Sequence, residues 1–267
     1  MKYIKDFAIV SNERLDDRNV LLKLRPVDGQ MPDTKPGQFV QVQAPAAQDT
    51  FLRLPISINN VEDGLLWLMV QMIGEGTRAI GQMKEGQSLN LVLPLGNGFS
   101  IDEFWNTDSR SMRPQVLLVG GGVGIAPLLY AGRVLKSRGV EPTFLLGART
   151  ASGVLERSLF EQIGRVLITT EDGSLGTRGF VTQILSDSQI VELSSFSKIM
   201  VCGPKPMMIA VARCAKQNGV DCEVSLENMM ACGLGACLCC VEKTINGNLC
   251  VCTDGPVFNI NQLTWQI

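Results

Sequence analysis

The sequence contains no histidine among its 267 residues. This absence excludes Ser-His and Cys-His nucleophile pairs, histidine-ligated zinc, Rieske centres and histidine-ligated haem. General acid–base catalysis near neutral pH, for which histidine is the usual side chain, would fall to lysine, cysteine or carboxylates. Electron or hydride transfer by a bound cofactor needs no such residue. The composition therefore favours cofactor chemistry, and we predict no catalytic side chain.

The charge and the first residues exclude two further classes of protein. The net charge is −2 and the isoelectric point lies near 5.4, which argues against a nucleic-acid partner. Residues 1–6 begin no long apolar run, so we expect neither a signal peptide nor a membrane span. With nine cysteines and no export signal, the expected location is the cytoplasm.

Most of the cysteines are concentrated near the end of the sequence. Cys232, Cys237 and Cys240 follow the Cys-x4-Cys-x2-Cys spacing of a plant-type [2Fe–2S] site, and Cys250 or Cys252 could supply the fourth thiolate. Glycines interleave the first of these thiols, which suits a tight loop wrapped around a cluster. The spacing predicts an iron–sulfur centre.

Three other interpretations of these thiols were weighed. A structural zinc site usually has two Cys-x2–4-Cys knuckles, whereas this segment has one compact loop and one tail. A disulfide framework requires an oxidising compartment, for which the sequence gives no other sign. Buried structural thiols do not explain so dense a group. The iron–sulfur interpretation is favoured over all three.

The first hundred residues show short apolar segments separated by turn dipeptides such as Asp28-Gly29 and Pro36-Gly37. Such spacing predicts a small antiparallel barrel. One helix is predicted with Thr77 as its N-cap, directly after the glycines at 74 and 76. Glycines before a helix N-terminus expose N–H groups that suit a phosphate. The predicted strands are Tyr3–Val10, Val20–Leu24, Gln38–Gln43, Phe51–Ile58, Leu65–Met72 and Leu89–Leu93.

A second region begins with the apolar run Val116–Val119, which is typical of a buried parallel strand. The glycine-rich turn Gly120–Gly124 follows, and then a predicted helix over Leu128–Ser137. Strand, glycine turn and helix form the setting of a dinucleotide site, although Pro127 replaces the third glycine of the usual fingerprint. Proline suits the first turn of a helix.

Strands and helices then alternate to Ser225, which predicts a doubly wound parallel sheet. Ligands of such sheets lie at the carboxyl ends of the strands, where Cys202-Gly203-Pro204 and Arg149 fall. The predicted fold class is therefore mixed: an N-terminal antiparallel β-barrel, an α/β doubly wound parallel sheet and a small C-terminal [2Fe–2S] domain. The expected boundaries are 1–108, 109–225 and 226–267.

Several motifs carry a resemblance to a known family. The chain resembles the ferredoxin-reductase superfamily over nearly its whole length, and within it the electron-transfer subunits of NAD-dependent (class 1B) dihydroorotate dehydrogenase. The motifs are Arg53-Leu54-Pro55-Ile56-Ser57-Ile58, Gly74-Glu75-Gly76-Thr77, Pro94-Leu95-Gly96-Asn97-Gly98-Phe99, Gly120-Gly121-Gly122-Val123-Gly124-Ile125-Ala126-Pro127-Leu128, Cys202-Gly203-Pro204-Lys205-Pro206-Met207, Met230-Ala231-Cys232-Gly233-Leu234-Gly235-Ala236-Cys237 and Val251-Cys252-Thr253-Asp254-Gly255-Pro256-Val257-Phe258.

The resemblance implies FAD on the barrel, NAD on the sheet and a [2Fe–2S] cluster on the C-terminal loop. The Cys-x-Asp-Gly-Pro context of the family selects Cys252 over Cys250 as the fourth ligand, which leaves Cys239 and Cys250 spare. The implied cofactor-binding residues are Arg53, Leu54, Pro55, Ile56, Ser57, Val70, Gln71, Met72, Gly76 and Thr77 for FAD, and Gly120, Gly121, Gly122, Val123, Gly124, Cys202, Gly203 and Pro204 for NAD. The implied cluster ligands are Cys232, Cys237, Cys240 and Cys252.

The resemblance also implies an activity and a partner. An FMN-containing catalytic subunit would oxidise dihydroorotate, and electrons would pass through the cluster and FAD to NAD⁺ in de novo pyrimidine (UMP) biosynthesis. The complex would be a heterotetramer of two plus two subunits. Two rivals stay open: a related reductase subunit that serves a sulfite reductase, hydrogenase or ferredoxin, and a zinc module on a nucleotide-binding scaffold.

One residue departs from the family pattern, and a second is compatible with either of two cofactors. The superfamily's flavin strand would place an arginine at Leu54, and this chain keeps only Arg53. Neighbouring strand residues point to opposite faces, so Arg53 would need a local twist to reach the FAD phosphates. Arg149, at the end of the second nucleotide strand, could pair with a 2′-phosphate, which leaves the use of NADP open.

Overall fold

The computed structural model describes residues 1–45, 50–106 and 114–267. The expected boundary between residues 108 and 109 therefore lies outside the described residues. The first part of the chain forms the strands β1 (Tyr3–Arg14), β2 (Asn19–Pro26), β3 (Phe39–Val42), β4 (Leu54–Glu62), β5 (Leu65–Gln71) and β6 (Ser88–Leu95). These strands pair antiparallel and close into a barrel in the order β1-β2-β5-β4-β3-β6, which confirms the predicted barrel.

Alternation of side chains along the barrel strands fills the barrel interior. On β3, Val40 and Val42 join the apolar cluster inside the barrel, whereas Phe39 belongs to a different core outside it. Successive residues of a strand point to opposite faces, so the outer face of β3 is free to pack against the rest of the chain.

Two details of the barrel differ from the prediction. Helix α1 (Glu75–Gly81) has Gly74 rather than Thr77 as its N-cap, and the Thr77 hydroxyl instead accepts hydrogen bonds from the backbone N–H groups of Ile73 and Gly74. β4 begins at Leu54 instead of Phe51, because Phe51 and Leu52 are exposed and pair with no strand.

The second region is a parallel sheet. Its strands are β7 (Gln115–Gly121), β8 (Glu141–Ala148), β9 (Arg165–Thr170), β10 (Thr177–Arg178), β11 (Lys198–Cys202) and β12 (Asp221–Ser225), in the order β10-β9-β8-β7-β11-β12. Each neighbouring pair of these strands is parallel. β7 runs through Gly120 and Gly121, two residues beyond the predicted apolar run, because the glycine turn starts inside the strand.

Helices cover both faces of this sheet, as predicted for a doubly wound fold. Leu118 of β7 packs with α2 (Ala126–Ser137) and α3 (Arg157–Ile163) on one face. Its neighbour Val119 packs on the opposite face, with α4 (Val181–Leu185) and α5 (Lys205–Gln217). A strand that is buried on both faces reads as a continuous apolar run, which is the reason that the sequence revealed it.

The C-terminal segment adds a hairpin and an edge strand. β13 (Val241–Thr244) and β14 (Gly247–Cys250) form the hairpin, and β15 (Val257–Asn259) pairs antiparallel with β12. The cysteine segment is therefore continuous with the parallel sheet through β15, which was not predicted. In the parts of the chain that the structure describes, we find no helix with the length and apolar character needed to cross a bilayer.

Candidate cofactor site

The first half of β4 is an apolar strand that the protein leaves partly open. Leu54, Pro55, Ile56 and Ser57 are all half-buried, whereas the next three residues, 58–60, are fully buried. A partly open, apolar strand with one hydroxyl is a suitable surface for a flat aromatic ligand. The structure thus places four of the residues implied for FAD side by side.

Arg53 and Leu54 point in different directions. The Arg53 guanidinium donates hydrogen bonds to the Asn90 carbonyl on β6 at 3.0 Å and to Gln43 Oε1, directly after β3, at 3.3 Å. Leu54 instead faces α1, since a methyl group placed on Gly76 would lie 2.9 Å from Leu54 Cδ1. The position that faces the helix N-terminus is apolar in this chain, and the structure does not bring Arg53 to it.

The residues on and after β5 that the resemblance implies for FAD differ in how exposed they are and in what they contact. Val70 is fully buried in the barrel core and presents no exposed surface to a ligand. Gln71 is half-buried at the end of the strand, and Met72 packs its thioether against Gly81 of α1. Gly76 is buried, and a methyl group there would lie 2.8 Å from Thr50 Cγ2. The backbone at Gly76 is therefore held close against the start of β4.

The glycine loop after β7 meets the loop after β11. A methyl group on Gly124 would lie 2.5 Å from the Gly203 Cα, and one on Gly121 would lie 3.1 Å from Pro204 Cδ. Gly122 is exposed with φ +57° and Val123 is half-buried, so a ligand can reach the turn that these two residues form. The structure brings the residues implied for NAD together at the carboxyl edge of the sheet, where ligands of such sheets bind.

Cys202 at the end of β11 pairs with a carboxyl group that the sequence did not point to. The Cys202 Sγ–H donates to Glu227 Oε1 at 3.8 Å. Burial raises the pKa of the Cys202 thiol well above its usual range, so the group is a neutral thiol. The Glu227 side chain keeps solvent exposure, yet desolvation by the atoms around its carboxyl raises its pKa.

The thiols implied as cluster ligands come from one loop and one turn. Cys240 and Cys252 are buried, Cys232 is half-buried and Cys237 is exposed. Backbone N–H groups point at their sulfur atoms: Leu234 N to Cys232 Sγ at 3.3 Å, Gly235 N to Cys252 Sγ at 3.2 Å, and Cys252 N to Cys240 Sγ at 3.4 Å.

The chemistry of this donor set fits an iron–sulfur cluster. Hydrogen bonds from the Leu234 and Cys237 backbone lower the pKa of Cys232 to about 6, which favours the thiolate that metals bind. Desolvation raises the pKa of Cys252 to about 12, so this thiol is neutral until a metal displaces its proton. Within the described residues, no three cysteine, aspartate or glutamate side chains lie close enough together to hold a metal ion, so the four thiols must draw together when a cluster binds.

The cysteine segment is fixed to the barrel by polar contacts. Asn97, just after β6, donates to the Thr253 carbonyl at 3.1 Å and to the Asp254 carbonyl at 3.0 Å. The Asp254 carboxylate in turn accepts from the Cys250 N–H at 2.7 Å, which closes the turn. The motif Pro94–Phe99 therefore binds the cysteine turn through Asn97, a role that the sequence did not reveal.

Sequence reasoning missed three residues of this site. Glu227 and Gln41 carry no spacing signal, because each reaches the site only through the packing of a distant segment. Asn97 lies within a motif that was recognised, but its amide bonds to backbone atoms more than 150 residues away. Arg149 is exposed directly after β8.

Comparisons with known proteins agree with this geometry. The family model described as the iron-sulfur cluster binding domain of dihydroorotate dehydrogenase B matches residues 227–264. The model of the oxidoreductase NAD-binding domain matches residues 118–213. Both matches cover the segments in which the structure places the thiols and the glycine loop.

Curated relatives match most of the chain. The electron transfer subunit of dihydroorotate dehydrogenase B (NAD(+)) from Caldanaerobacter subterraneus subsp. tengcongensis is 39% identical over 227 residues, which is 84% of each chain. The protein of the same name from Fusobacterium nucleatum is 35% identical over the same shares.

Solved structures with the same fold include two reductases. The structure of an NADH-dependent reduced ferredoxin-NADP oxidoreductase covers 97% of this chain and 90% of its own, with a TM-score of 0.82 and 28% identity. The ferredoxin reductase of carbazole 1,9a-dioxygenase covers 82% of this chain and 67% of its own, with a TM-score of 0.66 and 21% identity. The second likeness concerns the fold alone.

Proposed function

The chain belongs to the family of electron transfer subunits of dihydroorotate dehydrogenase B (NAD(+)), and from that membership we propose its function. It is an oxidoreductase subunit that carries electrons from dihydroorotate oxidation in a catalytic partner subunit to NAD⁺, in de novo pyrimidine (UMP) biosynthesis. Its cofactors are FAD, a [2Fe–2S] cluster and NAD. When they are bound, the cluster exchanges single electrons and the flavin pairs them for hydride exchange with the nicotinamide.

We propose that each cofactor is held by a different region. Residues 1–108 hold FAD along Leu54–Ser57, against Val70–Met72 and over Gly76 and Thr77. Residues 109–225 hold NAD on Gly120–Gly124 and Cys202–Pro204. Residues 226–267 hold the cluster through the thiolates of Cys232, Cys237, Cys240 and Cys252. The half-buried β4 strand, the open glycine turn and the N–H groups aimed at sulfur support this assignment.

The protein's own groups position these cofactors. Leu54 takes the place of the expected arginine beside Gly76, so backbone N–H groups at Gly76 and Thr77 are the donors available to the FAD phosphates. We propose that Arg53 braces β4 against the Asn90 carbonyl and Gln43 instead of binding phosphate. The Cys202–Glu227 contact holds the thiol in one place at the edge of the nicotinamide site.

The face that carries the cysteines is the proposed contact with the partner. Around the thiols, Met229 is 83% exposed, Leu238 is 64% exposed and Leu234 is 50% exposed. Exposed apolar side chains grouped on one surface are typical of an interface. We propose that an FMN-containing catalytic subunit covers this face, in a heterotetramer of two plus two subunits located in the cytoplasm.

The single observation that carries the proposal is the set of three backbone N–H groups that point at the sulfur atoms of Cys232, Cys240 and Cys252. The test is an anaerobic visible spectrum of the chain co-expressed with its partner. Flavin and cluster bands should be present, and both should bleach on addition of dihydroorotate or NADH. A colourless protein with zinc and no iron would support the zinc module, and failure to co-purify with a flavin-containing partner would contradict the proposed complex.

A second candidate partner is a ferredoxin. The observation that favours it is the likeness to the reduced ferredoxin-NADP oxidoreductase, which extends over nearly the whole chain. Rates of NADH oxidation with a reconstituted dihydroorotate dehydrogenase partner and with a ferredoxin distinguish the two. Faster turnover with the ferredoxin would replace the proposed partner.

A further inference from the structure

Gln41 is a polar side chain sealed between the barrel and the cysteine loop. β3 turns Val40 and Val42 into the barrel core, so Gln41 faces outward beside Phe39. The Gln41 side chain is 0% exposed, and among the residues that the structure describes neither its amide nitrogen nor its amide oxygen has a hydrogen-bond partner. Buried amides in folded proteins are normally paired, so an unpaired amide marks the place of a missing group.

The surroundings of Gln41 indicate which group is missing. A methyl group placed on Gly233 would lie 2.7 Å from Gln41 Cγ and 2.9 Å from its Nε2, so the loop passes directly over the amide. Gly233 follows Cys232, whose sulfur is an expected ligand. On the other side, Gln41 is the cross-strand partner of Pro55 on the flavin strand. The amide therefore lies between the expected positions of the cluster and the flavin.

The chemistry of the amide matches a sulfur acceptor. Thiolate and sulfide sulfurs accept hydrogen bonds and donate none, so the NH₂ group of Gln41 is the complementary end. Gly233 has φ +69°, and its lack of a side chain allows the amide to approach the loop this closely. The flavin strand offers Pro55 at this register, which has no N–H group and no polar side chain.

We infer that Gln41 Nε2 donates a hydrogen bond to a sulfur atom of the [2Fe–2S] centre at Cys232, and that this bond raises the reduction potential of the centre. The inference rests on the proposed function, because it requires the cluster. A donor to sulfur stabilises the extra negative charge of the reduced state, which is one of the means by which proteins set cluster potentials. Gln41 is a positioning and tuning residue, and it does not ligate iron.

The test compares the full chain, reconstituted anaerobically with iron, sulfide and FAD, with its Gln41→Met variant. Methionine keeps the length of the side chain and removes the donor. In a redox titration followed by electron paramagnetic resonance, the variant should show an about tenfold less favourable reduction of the cluster, which is about 59 mV for a one-electron couple. Gln30→Met, the same exchange at an exposed glutamine between β2 and β3, is the matched control and should leave the potential unchanged.

A second measurement detects the hydrogen bond directly, first in the wild-type protein. In wild-type protein labelled with ¹⁵N-glutamine, the reduced cluster should show a hyperfine coupling to one amide nitrogen. Gln41→Glu, which keeps the shape, removes the donor and adds charge, should lose that coupling and lower the potential further than Gln41→Met. If Gln41→Met does not load a cluster, these two measurements decide the question.

The outcomes separate this inference from the proposed function. Equal cluster potentials in wild type and Gln41→Met, or a shift in the flavin potential alone, would overturn the role of Gln41 while leaving the cluster in place. Wild-type protein that binds no iron would overturn the proposed function and this inference together.

Discussion

The barrel and sheet differ sharply from the cysteine segment in what holds them together. The barrel and the sheet each enclose a core of fully buried apolar side chains, with paired strands throughout. The cysteine loop has no strand between residues 226 and 240 and exposes Cys237 and Leu238. Its end at Cys240, with Cys252 of the following turn, packs into the core that the barrel and the sheet share, and polar contacts from Asn97 hold that turn. The scaffold should therefore fold without cofactors, whereas the loop requires its cluster.

The largest expected effect is confined to the loop. Cys252→Ser removes a buried ligand and should abolish the cluster bands and electron transfer to the partner, while circular dichroism and the melting temperature of the scaffold stay close to wild type. Cys239→Ser is the matched control, because Cys239 is exposed and spare, and it should keep the cluster. Loss of the cluster in the control, or its retention in Cys252→Ser, would show that the ligand assignment is wrong.

The next largest effect should be a loss of stability of the whole protein, because Lys198 links the segment after the barrel to the parallel sheet. Lys198 is 3% exposed and contacts three carboxylates. Glu103 lies in the segment that follows the last barrel strand, and Asp221 and Glu223 lie on β12. Lys198→Met would leave Glu223 buried without a counter-charge, at a cost of about 3–5 kcal/mol in the free energy of unfolding. Chemical denaturation measures this cost. A loss below about 1 kcal/mol would mean that the cluster of charges does not join the regions.

A smaller effect should depend on pH and should leave the loop untouched. Glu156, with φ +51° before α3, accepts a hydrogen bond from Asn59 of the barrel at 2.8 Å. Burial raises the pKa of Glu156 to about 7, with a smaller contribution from Glu13. In the described parts of the chain the other carboxyl oxygen, Glu156 Oε1, has no hydrogen-bond donor that would stabilise a carboxylate.

Because the pKa of Glu156 is raised in the folded protein, the protein should become less stable as the pH rises. The unfolded chain loses the Glu156 proton near pH 4.5, whereas the folded chain keeps it to about pH 7. Stability therefore falls as pH rises between these values, by roughly 3 kcal/mol, and is constant above them. Glu156→Gln should remove this fall, so denaturation curves at pH 5 and pH 8 should differ less for the variant than for wild type. An unchanged pH dependence would contradict the buried protonated state.

The smallest expected effect is a loss of cluster stability when the contact between the cysteine loop and the barrel is strained. Gly233→Ala places a methyl group against Gln41 at a residue with φ +69°. The strain should cost about 1–3 kcal/mol, and it should appear as faster loss of the cluster in air rather than as a lower melting temperature of the scaffold. Gly247→Ala, with φ +99° and open space around it, controls for the backbone strain alone.

The elements that the sequence predicted are those encoded by local periodicity. Val116–Val119 is an apolar run because β7 is covered on both faces, and the spacing of Cys232, Cys237 and Cys240 reflects one continuous loop. Gln41, Asn97 and Glu227 could not be predicted, because each acts on a segment far away in the chain. The strand at Val257–Asn259 was missed for the same reason: a three-residue apolar segment becomes a strand only beside β12.

The flavin strand shows a limit of a different kind. The sequence raised the question of Arg53 against Leu54, and alternation along the strand gave the correct expectation that the two point apart. The partners of the guanidinium are Asn90 on β6 and Gln43 directly after β3, and neither is close to Arg53 in the sequence. Motif spacing predicts which residues are close along the chain, and it carries no information on contacts made across the barrel.

The most direct test of the account is an anaerobic titration of the FAD-loaded, iron-loaded chain with NADH, followed by visible absorption and electron paramagnetic resonance. We expect the flavin and cluster bands to bleach together, and the resonance of a reduced [2Fe–2S] centre to appear. A flavin that bleaches without any cluster resonance, in protein shown to contain iron and sulfide, would contradict the claim that the sulfur-rich loop exchanges electrons with the flavin.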